Sequence, residues 1–518
     1  MERAKLSLQD LGHLNYLHSV LAQPIGSWHG FYHPQSQTMN FALRYQLAFA
    51  SYALAAMAQR TPAYRTPYAE AIGRAIEKML HVEVWGYWRA PDPTRTDRAG
   101  PRSPGHVAVL TGPHQKAPPG PPSDPIAHDN LQYSGHLSTM LGLYEKVSGH
   151  RRYDQPFTLQ DPASGVSYTY THGEVAARIH TQMLENPFGG VCCEQRMAYV
   201  PCNNYALASN TLHDALHGTN YRQANRRWLS TLRRRLVLRG PALRGVFGVA
   251  YVADVGLAAP VAFNFTDAWG LAFLLPFDRP LVRRLYPKFR RRVTRAGSEG
   301  AYVGSSTLNE KLEISDVAIN TGFGLVLARG VGDMELAGQL HGYAVGAFDA
   351  GWRGSHYLYR GAPRALYSTA LYALAGVIEP GGEGFTKLFN DPPGAGTLDT
   401  PCLERVLVPD GGDGGDGQTE AVGAVGAVGV CAAEYDAGQK ALHIGLIQVM
   451  DPTELRTAGR PVQAELLINP GRGGVIAAVH AGGQALPAEQ LARTPDGRLR
   501  VVVKVEPSRP TQCVIYLA

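Results

Sequence analysis

The stretch Thr266–Val293, TDAWGLAFLLPFDRPLVRRLYPKFRRRV, holds two helix patterns of opposite character. The part before the break at PFD is apolar all round, which is typical of a helix buried on every side. The part after it carries arginines beside an apolar stripe, which is typical of a helix with one face in solvent. The stretch therefore predicts an inner helix followed by an outer helix.

This alternation continues along the first 380 residues, where apolar residues recur at helical spacing and Gly, Pro and Asn mark the breaks. The helices form six consecutive pairs. Such pairs predict a mainly α domain that closes into an (α/α)6 toroid, or barrel. The predicted helices span 3–22, 36–59, 65–82, 125–148, 172–186, 203–217, 220–238, 264–275, 278–295, 314–331, 333–347 and 366–378.

Beyond about residue 395 the pattern changes to strands, because ALHIGLIQVM, VQAELLIN and LRVVVKVE are strand-like segments separated by turn signals. The chain is thus predicted to consist of a catalytic barrel domain at 1–395 and a β-sandwich domain at 396–518. Cys431 and Cys513 fall in predicted strands, where a free cysteine usually packs as a small apolar residue.

Three segments depart from these patterns. Residues 89–124 are too rich in Pro and Gly for a helix and form a loop insertion, either a mobile lid or a disordered segment. Residues 155–171 alternate in the manner of a small hairpin. The run GGDGGDGQ at Gly411–Gln418 has no convincing helix after it and carries two acids that would repel phosphate, so it predicts a flexible connection.

Composition limits the function classes. A hydrophobic content of 45% and a net charge of +6 over 518 residues are typical of a soluble globular protein. Lys and Arg are spread over helix patterns, which argues against nucleic acid as a partner. The N-terminus lacks the apolar core of a signal peptide, and no stretch approaches the roughly 18 apolar residues of a membrane span. Six cysteines are too few for a disulfide framework, so we expect a cytoplasmic enzyme with reduced thiols.

The stretch Asn186–Asn204, NPFGGVCCEQRMAYVPCNN, concentrates the unusual chemistry. Three of the six cysteines, Cys192, Cys193 and Cys202, lie in it beside one carboxylate. They could simply be buried. Zinc is disfavoured because the stretch has no CxxC pair and no His, and a bridge between adjacent cysteines would be strained. Thiols that act as acids, bases or nucleophiles also fit, given a partner that shifts their pKa.

A second segment, Asp129–Gly149, DNLQYSGHLSTMLGLYEKVSG, predicts a helix that begins at Asp124-Pro125 and ends at Gly149. Helical spacing places five of its residues on one face, directed into the barrel. They are Asp129, Tyr133, His136, Met140 and Leu143. The alternative for His136 is a core histidine bonded to a backbone carbonyl.

These motifs, in order with LNYL at Leu14, RYQLAFASYALA at Arg44, LHGTNYRQANRRWL, TDAWGLA, YPKF and LVLARGVGDMEL at Leu325, resemble the linalool dehydratase/isomerase family over roughly residues 10–380. The resemblance implies an (α/α)6 barrel that removes water from, adds water to, or isomerises a small isoprenoid alcohol without a cofactor. It places the family's two cysteines on Cys193 and Cys202 and its histidine on His136. It also places one pocket tyrosine on Tyr45 and the pocket tryptophan on Trp269.

The chain departs from the family at three positions. The family's acid falls on His18, a neighbouring tyrosine falls on Pro24, and a further pocket tyrosine falls on Phe265. In the family the two N-terminal residues cross a subunit interface in a ring-shaped homo-oligomer. Asp is an anion at pH 7, whereas His can be a neutral base or a cationic acid. We therefore expect the same scaffold with a changed substrate or reaction.

Eliminating water from an allylic alcohol needs an acid at the oxygen and a base at a neighbouring C–H, both in a pocket that excludes water. The predicted catalytic residues are His18, Tyr45, His136, Cys193 and Cys202. The predicted substrate-binding residues are Gln132, Tyr133, Glu194, Tyr199, Asn203, Phe265 and Trp269.

The leading hypothesis is a lyase or isomerase, free of metal and cofactor, that acts on a small apolar alkenol, with a homo-oligomer as the implied assembly. Cysteine attack on an allylic carbon is a second route for the same reaction. One alternative is a polysaccharide lyase or sugar hydrolase, because those enzymes also combine a helical toroid with a β-sandwich. The other alternative is a binding protein that kept the barrel and lost the chemistry.

Overall fold

The computed structural model describes the 518-residue chain except residues 1–5, 33–40, 89–121, 195, 240–244, 260–261, 298–299, 306–309, 312–314, 363, 393–398, 409–427, 459 and 508. Most of the predicted loop at 89–124, the run at Gly411–Gln418 and the domain boundary near 395 lie outside the described residues.

The described residues contain fifteen α-helices, and none of these is both long and apolar enough to cross a membrane. The α-helices are α1 (Leu8–Leu21), α2 (Leu43–Ala58), α3 (Thr66–Met79), α4 (Val82–Trp85), α5 (Leu131–Ser148), α6 (His172–Glu185), α7 (Val200–His217), α8 (Arg222–Thr231), α9 (Asn264–Leu274), α10 (Arg279–Arg290), α11 (Val317–Val331), α12 (Met334–Ala347), α13 (Ala365–Val377), α14 (Glu383–Asn390) and α15 (Pro452–Ala458).

Six of these helices pack in cyclic order. Helix α2 packs on α5, α5 on α7, α7 on α9, α9 on α11, α11 on α13, and α13 on α2. Between α5 and α7, Gly135 lies against Tyr205 and Gly142 lies against Leu212. The later residue of α5 thus contacts the later residue of α7, as it does when two helices run in the same direction. Paired contacts advance in the same way between α2 and α5, α9 and α11, α11 and α13, and α13 and α2. The six inner helices therefore run in the same direction.

The sequence explains which helices are inner and which are outer. Every residue of α2 is buried, and so is almost all of α9, because both are apolar on all sides. Helix α10 instead buries a single stripe that includes Leu285 and Phe289, and Asp278 caps its start by accepting from the Leu281 N–H. Its Arg290 pairs with Asp333 at the start of α12. Burial of α9 on all sides and of α10 on one face agrees with the patterns in Thr266–Val293.

The start of α5 corrects one prediction. The helix begins at Leu131, not at Asp124-Pro125, because Asp129 and Asn130 both adopt positive φ, at 52° and 53°. Asp129 therefore lies before the helix and does not share the face of His136. The predicted end is confirmed, since Gly149 is the left-handed cap.

The strands form small sheets of two or three strands in the helical region and two larger antiparallel sheets near the C-terminus. One sheet has the order β10-β13-β17-β16 and the other β11-β12-β18-β14-β15. The strands are β1 (Phe157–Asp161), β2 (Val166–Tyr170), β3 (Met197–Ala198), β4 (Tyr251–Val252), β5 (Leu257–Ala258), β6 (Thr294–Ala296), β7 (Gly300–Tyr302), β8 (Ala350–Arg353), β9 (His356–Tyr359), β10 (Cys402–Leu407), β11 (Val428–Asp436), β12 (Ala441–Gln448), β13 (Val462–Asn469), β14 (Ile476–Ala481), β15 (Gln484–Ala485), β16 (Leu491–Arg493), β17 (Leu499–Val505) and β18 (Thr511–Leu517).

The mainly helical class and the sheet-rich C-terminal region are thus confirmed, and β1 and β2 form the predicted hairpin at 155–171. Backbone hydrogen bonds join the sheets to the helices, with the Leu403 N–H donating to the Ala63 carbonyl at 2.8 Å and the Ala63 N–H donating to the Ala433 carbonyl at 3.2 Å. Cys431 and Cys513 are buried in the strands, as predicted for core residues.

Candidate active site

The loop before α7 is closed by the Asn203 side chain. Its oxygen accepts from the Val191 N–H at 2.9 Å, and its nitrogen donates to the carbonyls of Val191 and Tyr199 at 3.0 and 3.1 Å. Gly190 lies where a Cβ would come within 2.5 Å of the Trp228 ring and 2.7 Å of the Asn203 oxygen. Only glycine fits there, so Gly190 and Asn203 together hold the loop against α7.

The thiols of Cys193 and Cys202 meet at this loop. The Cys193 N–H donates to the Met197 carbonyl at 2.9 Å, which turns the chain back, and Cys202 lies in the first turn of α7. Both side chains are buried, and the two thiols are neighbours. Burial, and then the Cys202 thiol, raises the pKa of Cys193 well above its ordinary value of 9.0. Cys193 is therefore a protonated thiol at neutral pH.

The same loop is tied to the start of α5. The Leu131 N–H donates to the Cys192 carbonyl at 3.2 Å, which brings the first turns of α5 and α7 together. All six cysteines are free thiols. Within the described residues, Cys193 and Cys202 are not joined by a third side chain that could complete a metal site.

His136 projects from α5 among the inner helices and is fully buried. Its Nδ1 shares a hydrogen bond of 2.7 Å with the Tyr52 hydroxyl, whereas Nε2 has no hydrogen-bond partner in the described part of the chain. Burial, and then the charge of Arg44, lowers the pKa of His136 well below 6.5. The imidazole is therefore neutral at pH 7, with one nitrogen fixed by Tyr52 and the other without a hydrogen-bond partner in the described residues.

Tyr45 lies between the histidine and the thiols. Its ring is edge-on to the His136 ring with centroids 5.3 Å apart, and its hydroxyl donates to Gln132 Oε1 at 3.0 Å. Burial raises the pKa of Tyr45 well above 10.0, and the nearby Cys202 and Cys193 raise it further. Tyr45 is therefore a neutral hydroxyl, and the predicted catalytic groups other than His18 converge around it.

A buried cation lies beside this cluster. The Arg44 guanidinium lies over the rings of Tyr45 and Tyr87 at 4.8 and 4.2 Å, and it donates to Gln132 Oε1 at 3.1 Å. The charge of Glu194 acts on it as well. A buried cation therefore lies next to the neutral Tyr45 hydroxyl and the predicted catalytic groups around it.

Aromatic rings fill the centre of the inner helices. Trp269 stacks on Phe323 with centroids 5.1 Å apart, lies edge-on to Tyr45 at 5.6 Å, and donates from Nε1 to the Tyr205 hydroxyl at 2.7 Å. Phe49 packs edge-on to Trp269 and His136. The electron-rich faces of such rings stabilise positive charge, and the apolar surroundings exclude water.

A small cavity adjoins these rings. Its volume of about 10 Å³ suffices for about one water molecule. Phe265 and Trp269, both predicted to bind substrate, border it together, whereas the thiols and His136 do not. Its full lining is Phe41, Phe265, Trp269, Ser315, Ile319, Asn320, Phe323 and Tyr367.

Two predicted site residues lie apart from the cluster. His18 is buried in α1, neither of its ring nitrogens bonds to a described residue, and burial lowers its pKa to about 4. Because it is buried within its own chain, His18 does not extend from the surface toward a neighbouring subunit. Tyr133 directs its hydroxyl outward, to the Met79 carbonyl of α3 at 3.0 Å. Their catalytic and binding roles stay predictions.

Other predicted residues take supporting positions. Asn203 closes the thiol loop, and Tyr199 lies at the base of α7 with its hydroxyl 3.8 Å from Met197 Sδ. The sequence prediction missed Arg44 and Tyr52. Tyr52 follows Tyr45 by seven residues on the same helix, which places both on one face, and Arg44 is a lone cation in an apolar helix. Both signals were present in the sequence.

Comparison with known proteins decides the family. The family model described as linalool dehydratase/isomerase matches residues 44–364, which include Tyr45, His136, Cys193 and Cys202. The chain belongs to the linalool dehydratase/isomerase family. This match begins beyond His18, so the N-terminal departures from the family lie outside it.

Among solved structures, a family 76 glycoside hydrolase from a bovine Bacteroides thetaiotaomicron strain is similar to this linalool dehydratase/isomerase family chain at 12% identity. The alignment covers 72% of this chain and 78% of that chain, with a TM-score of 0.42.

Proposed function

We propose that this chain is a lyase or isomerase that moves water or a double bond in a small isoprenoid alcohol by proton transfer, without a cofactor. One observation carries the proposal: the protonated Cys193 thiol, the Cys202 thiol beside it and a neutral histidine lie around Tyr45 among buried aromatic rings. The family membership supports an enzyme of the dehydratase or isomerase type.

The protonation states favour proton transfer over attack by a cysteine. Cys193 is a protonated thiol, and the thiolate is the form that attacks carbon. In dehydration, the Cys193 S–H gives its proton to the departing hydroxyl oxygen, and His136 Nε2 takes a proton from the neighbouring carbon. Water and an alkene leave, and return of the proton from imidazolium to thiolate resets the site. Hydration runs through the same transfers in reverse.

The surroundings favour a hydrocarbon substrate. Positive charge that develops on an allylic carbon would be stabilised by the faces of Tyr45, Phe49 and Trp269. The hydroxyl of the substrate would lie near Gln132 and the thiols, where polar groups are concentrated. Uronate or sugar binding would instead need many hydrogen-bonding groups, so we favour the alkenol.

The architecture proposed for this activity is an (α/α)6 barrel followed by a β-sandwich. The cyclic packing of the six parallel inner helices supports the barrel, and the two antiparallel sheets support the sandwich. We place the boundary near residue 395 and assign the chemistry to residues 1–395. A cytoplasmic location suits the free thiols, and assembly into a homo-oligomer remains part of the proposal.

The test is turnover of a panel of allylic isoprenoid alcohols of increasing chain length, with their dehydration products, followed by gas chromatography and mass spectrometry. We expect interconversion of at least one alcohol and alkene, with deuterium from D2O incorporated at the carbon that accepts a proton. The variants C193S, C202S and H136N should lose turnover. C513S is the matched control, because Cys513 is equally buried but lies in the C-terminal sheet.

The possible results distinguish proton transfer from covalent catalysis and from a carbohydrate enzyme. A substrate adduct on Cys193 or Cys202, seen by intact-protein mass spectrometry, would replace proton transfer by covalent catalysis. Full turnover in C193S and H136N would contradict the proposed site. Unsaturated products from uronic acid polymers, with none from the alcohols, would favour a carbohydrate enzyme.

A further inference from the structure

Three metal-ligating side chains meet at the opposite ends of the helices that carry the candidate active site. Glu145 lies in the last turn of α5, His172 is the first residue of α6, and His217 is the last residue of α7. Glu145 follows His136 by nine residues, or about 13 Å along the helix, and His217 follows Cys202 by fifteen, or about 22 Å. This cluster is therefore separate from the thiols and from His136.

The three side chains can converge on one ion. One ligand atom from each lies within 4.8 Å of the other two, and His217 Nε2 is 3.0 Å from Glu145 Oε2. Ligand atoms around a tetrahedral zinc ion are about 3.4 Å apart, given bonds of about 2.1 Å. Small side-chain rotations would bring the three ligand atoms from separations of up to 4.8 Å to this spacing. Two imidazoles and one carboxylate form a ligand set that zinc takes with water in the fourth position.

The surroundings resemble the outer shell of a metal site. The His172 ring is buried and lies edge-on to the His213 and His217 rings, with centroids 5.2 and 5.8 Å apart, which restricts its orientation. The His213 ring stacks on His217 with centroids 4.5 Å apart and holds its orientation. His213 is itself bonded through Nδ1 to Thr219 Oγ1 at 2.9 Å. Both ligand rings are therefore oriented before any ion binds.

The local charge suits a cation. Asp154 Oδ1 is 4.0 Å from His217 Nε2 and adds a second carboxylate beside Glu145. The positive charge of Arg151 offsets these carboxylates, since its Nε is 3.3 Å from Glu145 Oε1. Its side chain is 61% exposed, however, and can turn to solvent. Glu145 and His172 are buried, whereas His217 is partly open, so an ion could reach the cluster from this side.

We propose that Glu145, His172 and His217 bind one zinc ion that joins the ends of α5, α6 and α7, with Asp154 or water as the fourth ligand. The ion has a structural role, because it joins the start of α6 to the ends of α5 and α7, whose other ends carry the candidate active site. It takes no part in the proposed proton transfers.

Zinc binding to the full chain without an affinity tag, measured by competition with a chromophoric chelator, tests the proposal. We expect one tightly bound equivalent, with at least tenfold weaker binding in E145Q, H172N and H217N. H180N is the matched control, because His180 lies on α6 as His172 does, eight residues further along, and is not one of the three ligands. Thermal unfolding of each zinc-free variant shows whether it still folds, and zinc should raise the melting temperature of wild type and H180N.

The absorption spectrum of the protein with Co2+ in place of zinc shows which residues are the ligands. Visible bands of a tetrahedral Co2+ complex, without sulfur-to-cobalt charge-transfer absorption, would support the histidine and carboxylate site, whereas charge-transfer bands would place the metal on the cysteines. No binding to wild type, or unchanged binding in folded E145Q and H172N, would overturn the proposal. C193S and C202S should bind zinc as wild type does, so the metal site and the proposed catalytic function can fail independently.

Discussion

The two ends of α5 and α7 use histidine in opposite ways. At the N-terminal ends, His136 and the Cys193–Cys202 pair are sealed among aromatic rings, and burial keeps His136 and Cys193 neutral. At the C-terminal ends, Glu145 and His217 lie beside Arg151 and Asp154 with solvent nearby, so charged groups are tolerated. Access to water therefore decides whether a histidine serves as a neutral proton carrier or as a partner for charge.

The largest expected effect tests the sealed end. H136N and C193S should each lower turnover by about 10²- to 10⁴-fold, the range expected when a general acid or base is removed. Steady-state kinetics measure the loss, and circular dichroism verifies the fold. A loss of less than threefold in both variants would show that the neutral groups at this end are packing residues.

The second prediction concerns the loop that brings the two helix starts together. G190A should lower the free energy of unfolding by about 1–3 kcal/mol, because the new Cβ would overlap the Trp228 ring and Asn203. Chemical denaturation measures this change. The control is G342A on α12, where a Cβ meets open space and should stabilise the helix by about 0.5–1 kcal/mol. Equal effects of the two substitutions would contradict the close packing at Gly190.

The third prediction concerns acid stability. His136 has a folded pKa below its ordinary 6.5, so the unfolded chain binds a proton that the folded chain excludes. The stability associated with neutral His136 is complete above pH 6.5 and is lost as the pH falls below it. H136N should reduce the slope of unfolding free energy against pH by up to about 1.4 kcal/mol per pH unit in that range. Denaturation midpoints from pH 4.5 to 7.5 measure it, and identical slopes for both proteins would mean that the imidazole is accessible to protons.

The smallest effect distinguishes two buried tyrosines. Y133F should change turnover by less than about twofold and cost about 1 kcal/mol of stability, since the Tyr133 hydroxyl bonds to the Met79 carbonyl of α3. Y52F should lower turnover by about tenfold or more, because it removes the hydrogen bond to His136 Nδ1. If Y133F is the more damaging of the two, the assignment of inward and outward faces is wrong.

Helical spacing identified much of the fold, because α9 and α10 differ in apolar periodicity and each begins or ends at a recognisable signal such as Asp278. The start of α5 was placed too early, because the positive φ of Asp129 and Asn130 is a tertiary effect that no periodicity reports. The backbone bond from Leu131 to the Cys192 carbonyl belongs to the same set of long-range contacts.

For the candidate site, residue type and spacing singled out the cysteine-rich stretch and the helix face of His136, and the family resemblance selected Cys193, Cys202 and His136, which the structure brings around Tyr45. The direction of a side chain could not be obtained in this way. Tyr133 and His136 are three residues apart on one helix, yet the first turns its hydroxyl outward to α3 and the second lies inside. Nor could a sequence show that Arg44 would be buried beside Glu194.

Because the six inner helices run in the same direction, their N-termini lie at one end of the bundle. Tyr45, Gln132 and Cys202 all lie within the first three residues of their helices. Each helix start carries roughly half a unit of positive charge on its free N–H groups, so this end attracts the lone pairs of an oxygen atom. The aromatic rings beyond it favour contact with hydrocarbon. A substrate with one hydroxyl group would therefore bind with its oxygen at this end and its carbon chain toward the aromatic rings. This polarity would orient the molecule before any bond changes.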